Sequence, residues 1–391
     1  MRTLDDLPLT GSRVLLRVDL NVPMQDGQVS DGTRIERAVP TLAELSDKGA
    51  RVIVLSHFGR PKGKIVPDMS LAPLAGPLGA ALGRSVAFSD MAGAETAVAQ
   101  MADGDILLLE NVRFAPGEEA NDRGFAQSLA DLGDIYVNDA FSCAHRAHAS
   151  TEALAHLLPA APGRAMQAEL QALEAALATP SRPVAALVGG AKVSSKLSVL
   201  GHLLDKVDQL IIGGGMANTF LYAKGINIGA SLCEKDLADT ARQIMAQAEA
   251  QDCEIVLPVD VVLAREFKAG ADSAVVPVDK VPEEMMILDV GPASVLDLIQ
   301  RLQGCRTLLW NGPLGAFEIA PFDMGTVKVA QAAAAQTKSG ALISVAGGGD
   351  TGAALRHADA ADDFTYVSTA GGAFLEWLEG KVLPGIKALE D

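Results

Sequence analysis

Arginine and histidine side chains recur in the first half of the sequence at positions that directly follow apolar runs. The polar residues at these positions are Asp19, Asn21, His57, Arg60, Arg113, His145, Arg146 and His148. Residues 2–156 hold more acidic than basic side chains, so a basic cluster there would be local. Guanidinium groups bind phosphate and carboxylate oxygens through paired, forked hydrogen bonds. The pattern therefore predicts a site for a small anionic ligand, with Asp19 and Asn21 available to bind a ligand hydroxyl.

The alternative for each arginine is an ion pair with a surface carboxylate, and only the joint pattern favours a ligand site. His145 and His148 raise the question of a metal site, but no cysteine or carboxylate set accompanies them. Metal sites are usually built from several such ligands. We therefore expect these two histidines to have hydrogen-bonded structural roles.

A second group of residues, in the other half of the chain, has the pattern of a phosphate site. Gly189, Gly190 and Lys192 follow a buried apolar run and precede a segment whose leucines have helical spacing. Lys196 comes four residues after Lys192, so we expect the two lysines to share one face near a helix N-terminus. Unpaired N–H groups and the helix dipole favour phosphate at such an end. The alternative is a pair of ordinary surface lysines.

The segment Gly347 to Gly352 contains a G-x-G-x-x-G pattern, which by itself is typical of a dinucleotide site. Asp350 lies inside this pattern, where a carboxylate without a cation would repel pyrophosphate. The next apolar run ends in Ser368 and Thr369, so no acid is present there to bind a ribose hydroxyl. Mg²⁺ is commonly bound by one or two carboxylates together with nucleotide phosphates. A magnesium nucleotide therefore fits Asp350 better than a dinucleotide, although the sequence has no Walker A motif.

Short β-branched apolar runs alternate with helical segments along the sequence, which indicates an α/β fold built on parallel sheets. The predicted strands are Arg13–Val22, Arg51–His57, Asp105–Glu110, Ile135–Asn138, Val184–Val188, Gln209–Ile212, Glu254–Val259, Met286–Val290, Thr307–Trp310, Ala341–Val345 and Phe364–Val367. Ligands of such sheets bind beyond the carboxyl ends of the strands, where both groups of polar residues lie.

A helix rich in alanine, glutamate and leucine is predicted over Gly163–Ala178, between Pro162 and Pro180. Because proline interrupts helices, we expect this helix to be a rigid connector between two compact units.

Length, composition and charge limit the class of protein. The chain has 391 residues, of which 49% are hydrophobic, and this predicts a globular protein of two domains. The formal net charge of −17 disfavours nucleic acid and anionic membranes as partners. The four cysteines are far apart, which indicates reduced thiols. Without a signal-like N-terminus or an apolar window of about 20 residues, the sequence predicts a cytoplasmic protein.

Seven segments, in this order along the chain, resemble the motifs of phosphoglycerate kinases. They are RVDLNVP (17–23), DGTRI (31–35), SHFGRP (56–61), NDAFSCAHRAHAS (138–150), GGAKVSSK (189–196), WNGPLGAFE (310–318) and GGGDT (347–351). The resemblance implies two Rossmann-like domains, each a parallel sheet flanked by helices, joined by a helical hinge. The implied divisions are a glycerate-binding domain over 1–162, a connecting helix over 163–178 and a nucleotide-binding domain over 179–374. Residues 375–391 are expected to pack back on the first domain.

The resemblance also implies a reaction, the reversible phosphoryl transfer between 1,3-bisphosphoglycerate and MgADP that gives 3-phosphoglycerate and MgATP, carried out by a monomer. It places the glycerate substrate among Asp19, Leu20, Asn21, Arg34, His57, Phe58, Gly59, Arg60, Arg113 and Arg146. It places the nucleotide among Lys192, Lys196, Gly213, Asn311, Gly312, Pro313, Glu318, Gly347, Gly348, Gly349, Asp350 and Thr351. In this assignment Glu318 binds the ribose and Asp350 binds Mg²⁺.

Phosphoryl transfer depends on in-line positioning and on cations that neutralise charge on the transferring group. Arg34, Lys192, Lys196 and Mg²⁺ are expected to neutralise this charge. The substrate carboxylate would be the nucleophile, so no general base is needed.

Two positions depart from the family pattern, since Ala370 replaces a glycine of the usual loop and Ser195 replaces a common acid. The alternative functions are an NAD-dependent dehydrogenase and a two-lobed sugar-phosphate binding protein.

Overall fold

The computed structural model describes residues 1–390 of the chain and divides them into two compact units. Unit 1 contains residues 1–170 and 382–390, and unit 2 contains residues 171–381. Asp391, which belongs to the segment expected to pack back on the first domain, lies outside the described residues. Across residues 1–390, no helix combines the length and apolar character needed to cross a membrane.

Short strands and helices alternate along both units. The strands are β1 (Arg13–Arg17), β2 (Met24–Gln25), β3 (Gln28–Val29), β4 (Arg51–Leu55), β5 (Ala87–Ser89), β6 (Ile106–Leu109), β7 (Ile135–Asn138), β8 (Ala160–Pro162), β9 (Val184–Val188), β10 (Gln209–Ile212), β11 (Glu254–Val256), β12 (Asp260–Ala264), β13 (Ser273–Pro277), β14 (Met286–Val290), β15 (Thr307–Asn311), β16 (Ile343–Gly347) and β17 (Tyr366–Ser368). The α-helices are α1 (Thr33–Asp47), α2 (Ala75–Leu82), α3 (Ala94–Ala99), α4 (Pro116–Glu119), α5 (Arg123–Ala130), α6 (Arg164–Leu173), α7 (Leu197–Leu203), α8 (Gly214–Ala223), α9 (Ala238–Ala250), α10 (Pro292–Gly304), α11 (Met324–Lys338), α12 (Gly349–His357), α13 (Gly371–Leu378) and α14 (Pro384–Lys387).

The core of unit 1 is a sheet with the strand order β5-β6-β4-β1-β7-β8, in which all pairs are parallel. Its central strands are covered on both faces, which is why their sequences are continuous apolar runs. In β1, Leu16 belongs to the hydrophobic cluster on one face and Leu15 to the cluster on the other. The loops that follow β1, β4, β6 and β7 lie at the same carboxyl edge, where the sequence predicts the anion site.

Unit 2 is built on a second parallel sheet with the strand order β11-β10-β9-β15-β16-β17. Its carboxyl edge carries the loops that follow β9, β10, β15 and β16. These loops hold the glycine-rich segments and the two lysines predicted for the phosphate site. The predicted fold class, an α/β protein whose parallel sheets are flanked by helices, is confirmed.

A three-stranded antiparallel sheet, β13-β12-β14, differs from the expected purely parallel architecture. The predicted strand Met286–Val290 is present as β14, but it pairs with β12 and belongs to neither parallel sheet. The small sheet buries only a few side chains, among them Val261 and Leu263 of β12. β13 is mostly exposed, and the sequence does not predict this strand because it lacks the pattern of a buried strand.

The first predicted strand, Arg13–Val22, is too long, because β1 ends at Arg17. The Asp19 carboxylate accepts a hydrogen bond from the backbone N–H of Asn21 at 3.0 Å, which forms a turn within the predicted strand. The apolar residues beyond this turn remain buried in the core, although they are no longer in a strand. The turn brings the polar residues of the RVDLNVP segment to the carboxyl edge of the sheet.

A helix is present over the predicted connecting segment. It consists of α6 and a π-helical turn over Glu174–Ala178. The Asp139 carboxylate accepts the N–H of Met166 at 2.9 Å and so satisfies one of the free donors in the first turn of α6. The division between the units falls inside this helix, after residue 170. Its action as a hinge remains a prediction.

The segment that returns to unit 1 begins at Val382. Leu389 is buried in the hydrophobic cluster that also contains Leu15, and the N–H of Gly385 donates to the Ala144 carbonyl at 2.9 Å. Residues 375–381, which the sequence assigns to this segment, cluster with unit 2 instead.

Candidate active site

Arg34, in the first turn of α1, lies beside the turn that follows β1. Its Nη1 donates to Asp19 Oδ1 at 3.2 Å and to the carbonyl oxygen of Asn21 at 2.7 Å. Ser142 donates its hydroxyl to the other oxygen of Asp19 at 2.5 Å. The Arg34 side chain is 34% exposed, so its guanidinium group is held in place and remains accessible to a ligand.

Hydrogen bonds connect the turn after β1 with the loops after β4 and β6. The N–H of Gly59 donates to Asn21 Oδ1 at 2.9 Å, and the Gly59 carbonyl accepts from Arg113 Nη1 at 2.9 Å. Arg113 is buried, and its Nε has no hydrogen-bond partner among residues 1–390. The Glu119 carboxylate lies 3.6 Å from this nitrogen, beyond hydrogen-bond distance. A buried donor of this kind is suited to binding an anionic ligand.

His57 is buried close to four arginines of unit 1, and Arg17 Nη2 lies 3.0 Å from its Nδ1. Burial, followed by the guanidinium groups of Arg17, Arg113, Arg34 and Arg146, holds the pKa of His57 well below its ordinary value. The imidazole is therefore neutral at physiological pH. Four arginines around one neutral side chain create a positive potential that favours an anion.

The other residues predicted for the first site have different surroundings. Leu20 is wholly buried in the core and Phe58 packs against the same cluster, so their side chains serve packing. Arg60 is exposed. Arg146 is half-buried and its Nε donates to His145 Nε2 at 3.1 Å.

Lys192 and Lys196 both lie at the carboxyl edge of the second sheet, but the prediction that they share one α-helical face is wrong. Lys192 has extended backbone angles, φ −135° and ψ 131°, and precedes a 3-10 turn over Val193–Ser195. α7 begins only after Lys196. The Glu234 carboxylate accepts hydrogen bonds from both the N–H and the hydroxyl of Ser194, at 2.9 and 2.6 Å. This side chain satisfies a donor of the tight turn and so stabilises it in place of a regular helical start.

Lys196 is half-buried between the ends of two strands. Its Nζ donates to Asn311 Oδ1, and Asn311 Nδ2 donates to the Gly347 carbonyl at 2.7 Å. Burial lowers the pKa of Lys196, and the carboxylates of Asp350 and Glu379 oppose this shift. The ammonium group is thus fixed between β15, β16 and the acid predicted to bind a metal.

The glycine-rich loop after β16 leads directly into α12. Gly348 precedes the helix with φ 106°, a left-handed conformation that glycine adopts at low cost. The Thr351 hydroxyl accepts from the N–H of Gly312 at 2.7 Å, which joins this loop to the loop after β15. Gly349 and Asp350 form the first turn of α12, where free N–H groups and the helix dipole favour phosphate.

A cavity of about 440 Å³ lies beside these groups within unit 2. Its lining is mainly glycine and apolar side chains, and Pro313 contributes to it. The polar side chains of the lining are Asn218, Asp289, Glu318 and Asp350. Gly213, which precedes α8, lies next to the lining residue Gly214. An apolar cavity of this size with a few polar groups is typical of a small-molecule site.

A family model described as phosphoglycerate kinase matches residues 4–381. The chain belongs to the phosphoglycerate kinase family. The phosphoglycerate kinase of Ruegeria sp. (strain TM1040) is 64% identical over 392 residues, with 100% of this chain and 99% of that protein covered. That of Methylorubrum extorquens (strain PA1) is 63% identical, with coverages of 99% and 98%. A solved structure of phosphoglycerate kinase from Coxiella burnetii has a TM-score of 0.93 at 44% identity, covering 100% of this chain and 98% of that chain.

Membership of the phosphoglycerate kinase family confirms the resemblance and the prediction that the chain is an enzyme, a kinase. The two departures from the family pattern are accommodated locally. Ala370 has φ −93° and precedes α13, so no left-handed conformation is required of it. Ser195 donates its hydroxyl to the Lys192 carbonyl at 2.8 Å, within its own turn.

Several buried polar residues near the two sites of this kinase are not among the site residues that the sequence predicts. Arg17 and Asp289 each lie inside an apolar strand, and a charged residue in such a place is seldom buried without partners. That anomaly is a signal by which both could be found. Burial raises the pKa of Asp289 to about 7, and its carboxylate accepts the N–H of Gly325 at 2.7 Å. Glu118, in the short helix α4, and Ser150, in the loop after β7, have no comparable signal.

Proposed function

We propose that this member of the phosphoglycerate kinase family catalyses reversible phosphoryl transfer between 1,3-bisphosphoglycerate and MgADP, which gives 3-phosphoglycerate and MgATP. The observation that carries the proposal is a cluster of guanidinium groups at this edge of the sheet: Arg17 contacts His57, Arg34 is bonded to the turn after β1, and the buried Arg113 has an Nε without a partner among residues 1–390. Forked guanidinium donors suit a ligand that has a phosphate at one end and a carboxylate at the other. The glycerate substrate is therefore assigned to the carboxyl edge of unit 1.

The nucleotide is assigned to the cavity of unit 2. Glu318 lines this cavity and is the proposed ligand of the ribose hydroxyls. The first turn of α12 and the ammonium group of Lys196 lie at the same edge of the sheet, and both favour nucleotide phosphates. Lys192, which is exposed, is proposed to reach the transferring phosphoryl group.

Asp350 is the residue proposed to hold Mg²⁺. It lies in the first turn of α12, lines the cavity and is close enough to Lys196 to affect its pKa. One carboxylate beside nucleotide phosphates is a ligand set that Mg²⁺ commonly uses, so this residue fits the ion. When bound, the ion would neutralise part of the phosphate charge.

The chemistry proposed for the side chains is positioning and charge neutralisation. Arg34, Lys192 and Lys196 would stabilise negative charge on the transferring group, which is the main catalytic requirement of phosphoryl transfer. The substrate carboxylate is already ionised at neutral pH, so no side chain has to accept a proton from it. His57 is neutral and is proposed as a hydrogen-bond donor to the substrate, without acting as a base.

An assay that couples ADP formation to an optical signal tests the proposed function directly. We expect turnover with 3-phosphoglycerate and MgATP, and none when either is omitted. The enzyme is further proposed to act as a cytoplasmic monomer, as the family resemblance implies. Absence of turnover, together with stabilisation by NAD but not by MgADP, would contradict the proposal and favour a dehydrogenase.

Replacing Asp350 with asparagine is expected to weaken MgADP binding by about tenfold or more, because the metal loses its proposed carboxylate. The affinity for 3-phosphoglycerate should not change, since the glycerate site belongs to the other unit. Isothermal titration of each ligand separates the two effects. The matched control is Asp362→Asn, which alters an exposed acid of the same unit. If Asp350→Asn weakens both ligands equally, the carboxylate has a structural function.

Closure of the two units is expected when both substrates are bound. In-line transfer requires reacting atoms about 3 to 3.5 Å apart, whereas the two ligands are assigned to different units. Each ligand alone contacts mainly one unit, so only the pair has a large differential affinity for a closed state. Small-angle scattering with MgADP and 3-phosphoglycerate, which cannot react with each other, should show a lower radius of gyration than with either ligand alone. An unchanged radius with both ligands at saturation would contradict the assignment to separate units.

A further inference from the structure

The guanidinium group of Arg17 is wholly buried behind the glycerate site and has four hydrogen-bond partners, one of which is the Cys143 sulfur, 3.7 Å from Nη2. Its Nε donates to Ser150 Oγ at 2.9 Å, and its Nη1 donates to the carbonyl of Val18. Its Nη2 lies 3.0 Å from His57 Nδ1. The side chain thus connects the end of β1 with the loops that follow β4 and β7.

Glu118 completes this connection on the side away from His57. Its two carboxylate oxygens accept from the Ser150 hydroxyl at 2.7 Å and from the Ser150 N–H at 2.9 Å. Because Arg17 already donates to Ser150 Oγ, the hydroxyl hydrogen is left for the carboxylate. The direction of donation is therefore fixed from Arg17 to Ser150 and from Ser150 to Glu118. Both Glu118 and Ser150 are wholly buried.

The contact between Arg17 and His57 determines the form of the imidazole. A guanidinium group has donors only, so His57 Nδ1 must accept and the ring proton of the neutral imidazole must be on Nε2. Burial and the surrounding arginines keep the ring neutral. His57 is therefore left with a single N–H, on the nitrogen remote from Arg17.

We infer that Glu118 and Ser150 are positioning residues for the glycerate site, because they hold Arg17 in the orientation that keeps His57 in its Nε2–H form. This inference rests on the proposed function, since His57 is assigned to the substrate there. In that form the ring can donate to a carboxylate, hydroxyl or phosphate oxygen. In the Nδ1–H form its donor would face the guanidinium group of Arg17, which accepts no hydrogen bond, and would have only the weakly accepting Cys143 sulfur, 3.9 Å from Nδ1, as a partner there.

Nitrogen NMR of the unliganded wild-type enzyme tests the tautomer without any assay of activity. The chain has only six histidines, and His57→Gln identifies the signal of His57. Long-range correlation spectra distinguish a nitrogen that carries a proton from one that does not. We expect His57 to have a protonated Nε2 and a bare Nδ1, without a second proton near the ordinary histidine pKa of about 6.5. A proton on Nδ1 in the wild-type enzyme would overturn the inference.

Variants test whether Glu118 and Ser150 are responsible. Glu118→Gln and Ser150→Ala are expected to raise the KM for 3-phosphoglycerate by roughly tenfold to a hundredfold, because misplaced substrate-binding groups have effects of this size. The KM for MgATP should stay unchanged, and the His57 nitrogen signals should show a mixture of tautomers. Ser150→Thr keeps the hydroxyl and should restore the wild-type spectrum. Glu152→Gln is the matched control, since this acid lies in the same loop as Ser150 but bonds Asn121 and His156.

The outcomes separate this inference from the proposed function. If folded Glu118→Gln and Ser150→Ala have wild-type spectra and wild-type KM for 3-phosphoglycerate, the positioning role is wrong while the proposed function stands. If the wild-type enzyme does not turn over 3-phosphoglycerate, the proposed function fails, and the NMR result still decides the tautomer. Should a variant not fold, the wild-type spectrum and the Ser150→Thr spectrum still decide between the two tautomers.

Discussion

Replacing Arg34 with alanine is expected to reduce kcat by about a hundredfold or more, while the melting temperature stays nearly unchanged. Removal of one preorganised group that stabilises transition-state charge typically has an effect of about this size. The side chain is 34% exposed and its hydrogen bonds go to Asp19 and Asn21 at the rim of the site, so we expect little loss of packing. Steady-state kinetics at saturating substrates and a thermal unfolding scan measure the two quantities.

Arg51→Ala is the matched control for this experiment. Arg51 has nearly the same side-chain exposure, 35%, and likewise pairs with one aspartate, Asp103. It lies at the start of β4, at the opposite edge of the sheet from the glycerate site. We expect wild-type kcat for this variant. Wild-type kcat for Arg34→Ala, or an equal loss in both variants, would contradict a role of Arg34 at the transferring group.

Gly189→Ala is expected to be the most destabilising single substitution considered for unit 2. A Cβ atom at this position would lie 1.9 Å from the carbonyl oxygen of Pro313, which is backbone and has no rotamer that relieves the contact. Overpacking of a well-packed interior costs about 1 to 3 kcal/mol and more when backbone must move, so a loss of roughly 3 kcal/mol or more is expected. MgADP binding should weaken as well, because Pro313 lines the nucleotide cavity.

The intrinsic fluorescence of the enzyme makes this measurement specific to unit 2. The chain has two tryptophans, Trp310 and Trp377, and both belong to that unit. Urea unfolding followed by tryptophan emission therefore reports the stability of unit 2 even if the two units unfold separately. Gly201→Ala is the matched control, since no atom lies within 4 Å of its added Cβ in the middle of α7. It should stabilise unit 2 by about 0.5 to 1 kcal/mol, and a similar small change for Gly189→Ala would disprove the steric argument.

The parts of the fold that the sequence predicts are those in which one strong physical signal is sufficient. Strands covered on both faces need apolar side chains at every position, so β9 and β15 appear as uninterrupted runs. Edge strands such as β5 have only three residues and partly exposed side chains, and the sequence pattern does not reveal them. In the antiparallel sheet only β14 is predicted, because the cluster packed on this sheet is small and β13 is mostly exposed.

The candidate site is predicted by residue type but not by geometry. His57, Arg113 and Arg146 are found because they follow apolar runs, and parallel strands bring such loops together. Arg34, in the first turn of α1, is found only through the family resemblance. The contact between Arg17 and His57 depends on the packing of separate loops, for which no local pattern exists. The helical face assigned to Lys192 and Lys196 is wrong because Glu234, distant in sequence, stabilises a tight turn between them. Local spacing does not contain that tertiary contact.

Because residues 382–390 belong to unit 1, the two units can complete their folding at different times during synthesis. Unit 2 is continuous in sequence, so it can reach its final packing as soon as it leaves the ribosome. Unit 1 cannot, because Leu389, which fills part of its core, is translated only after all of unit 2. A nascent chain that ends at residue 381 therefore exposes apolar surface of unit 1 that the finished protein buries. Chaperones that act during translation should consequently bind unit 1 for longer than unit 2, although unit 1 begins to emerge first.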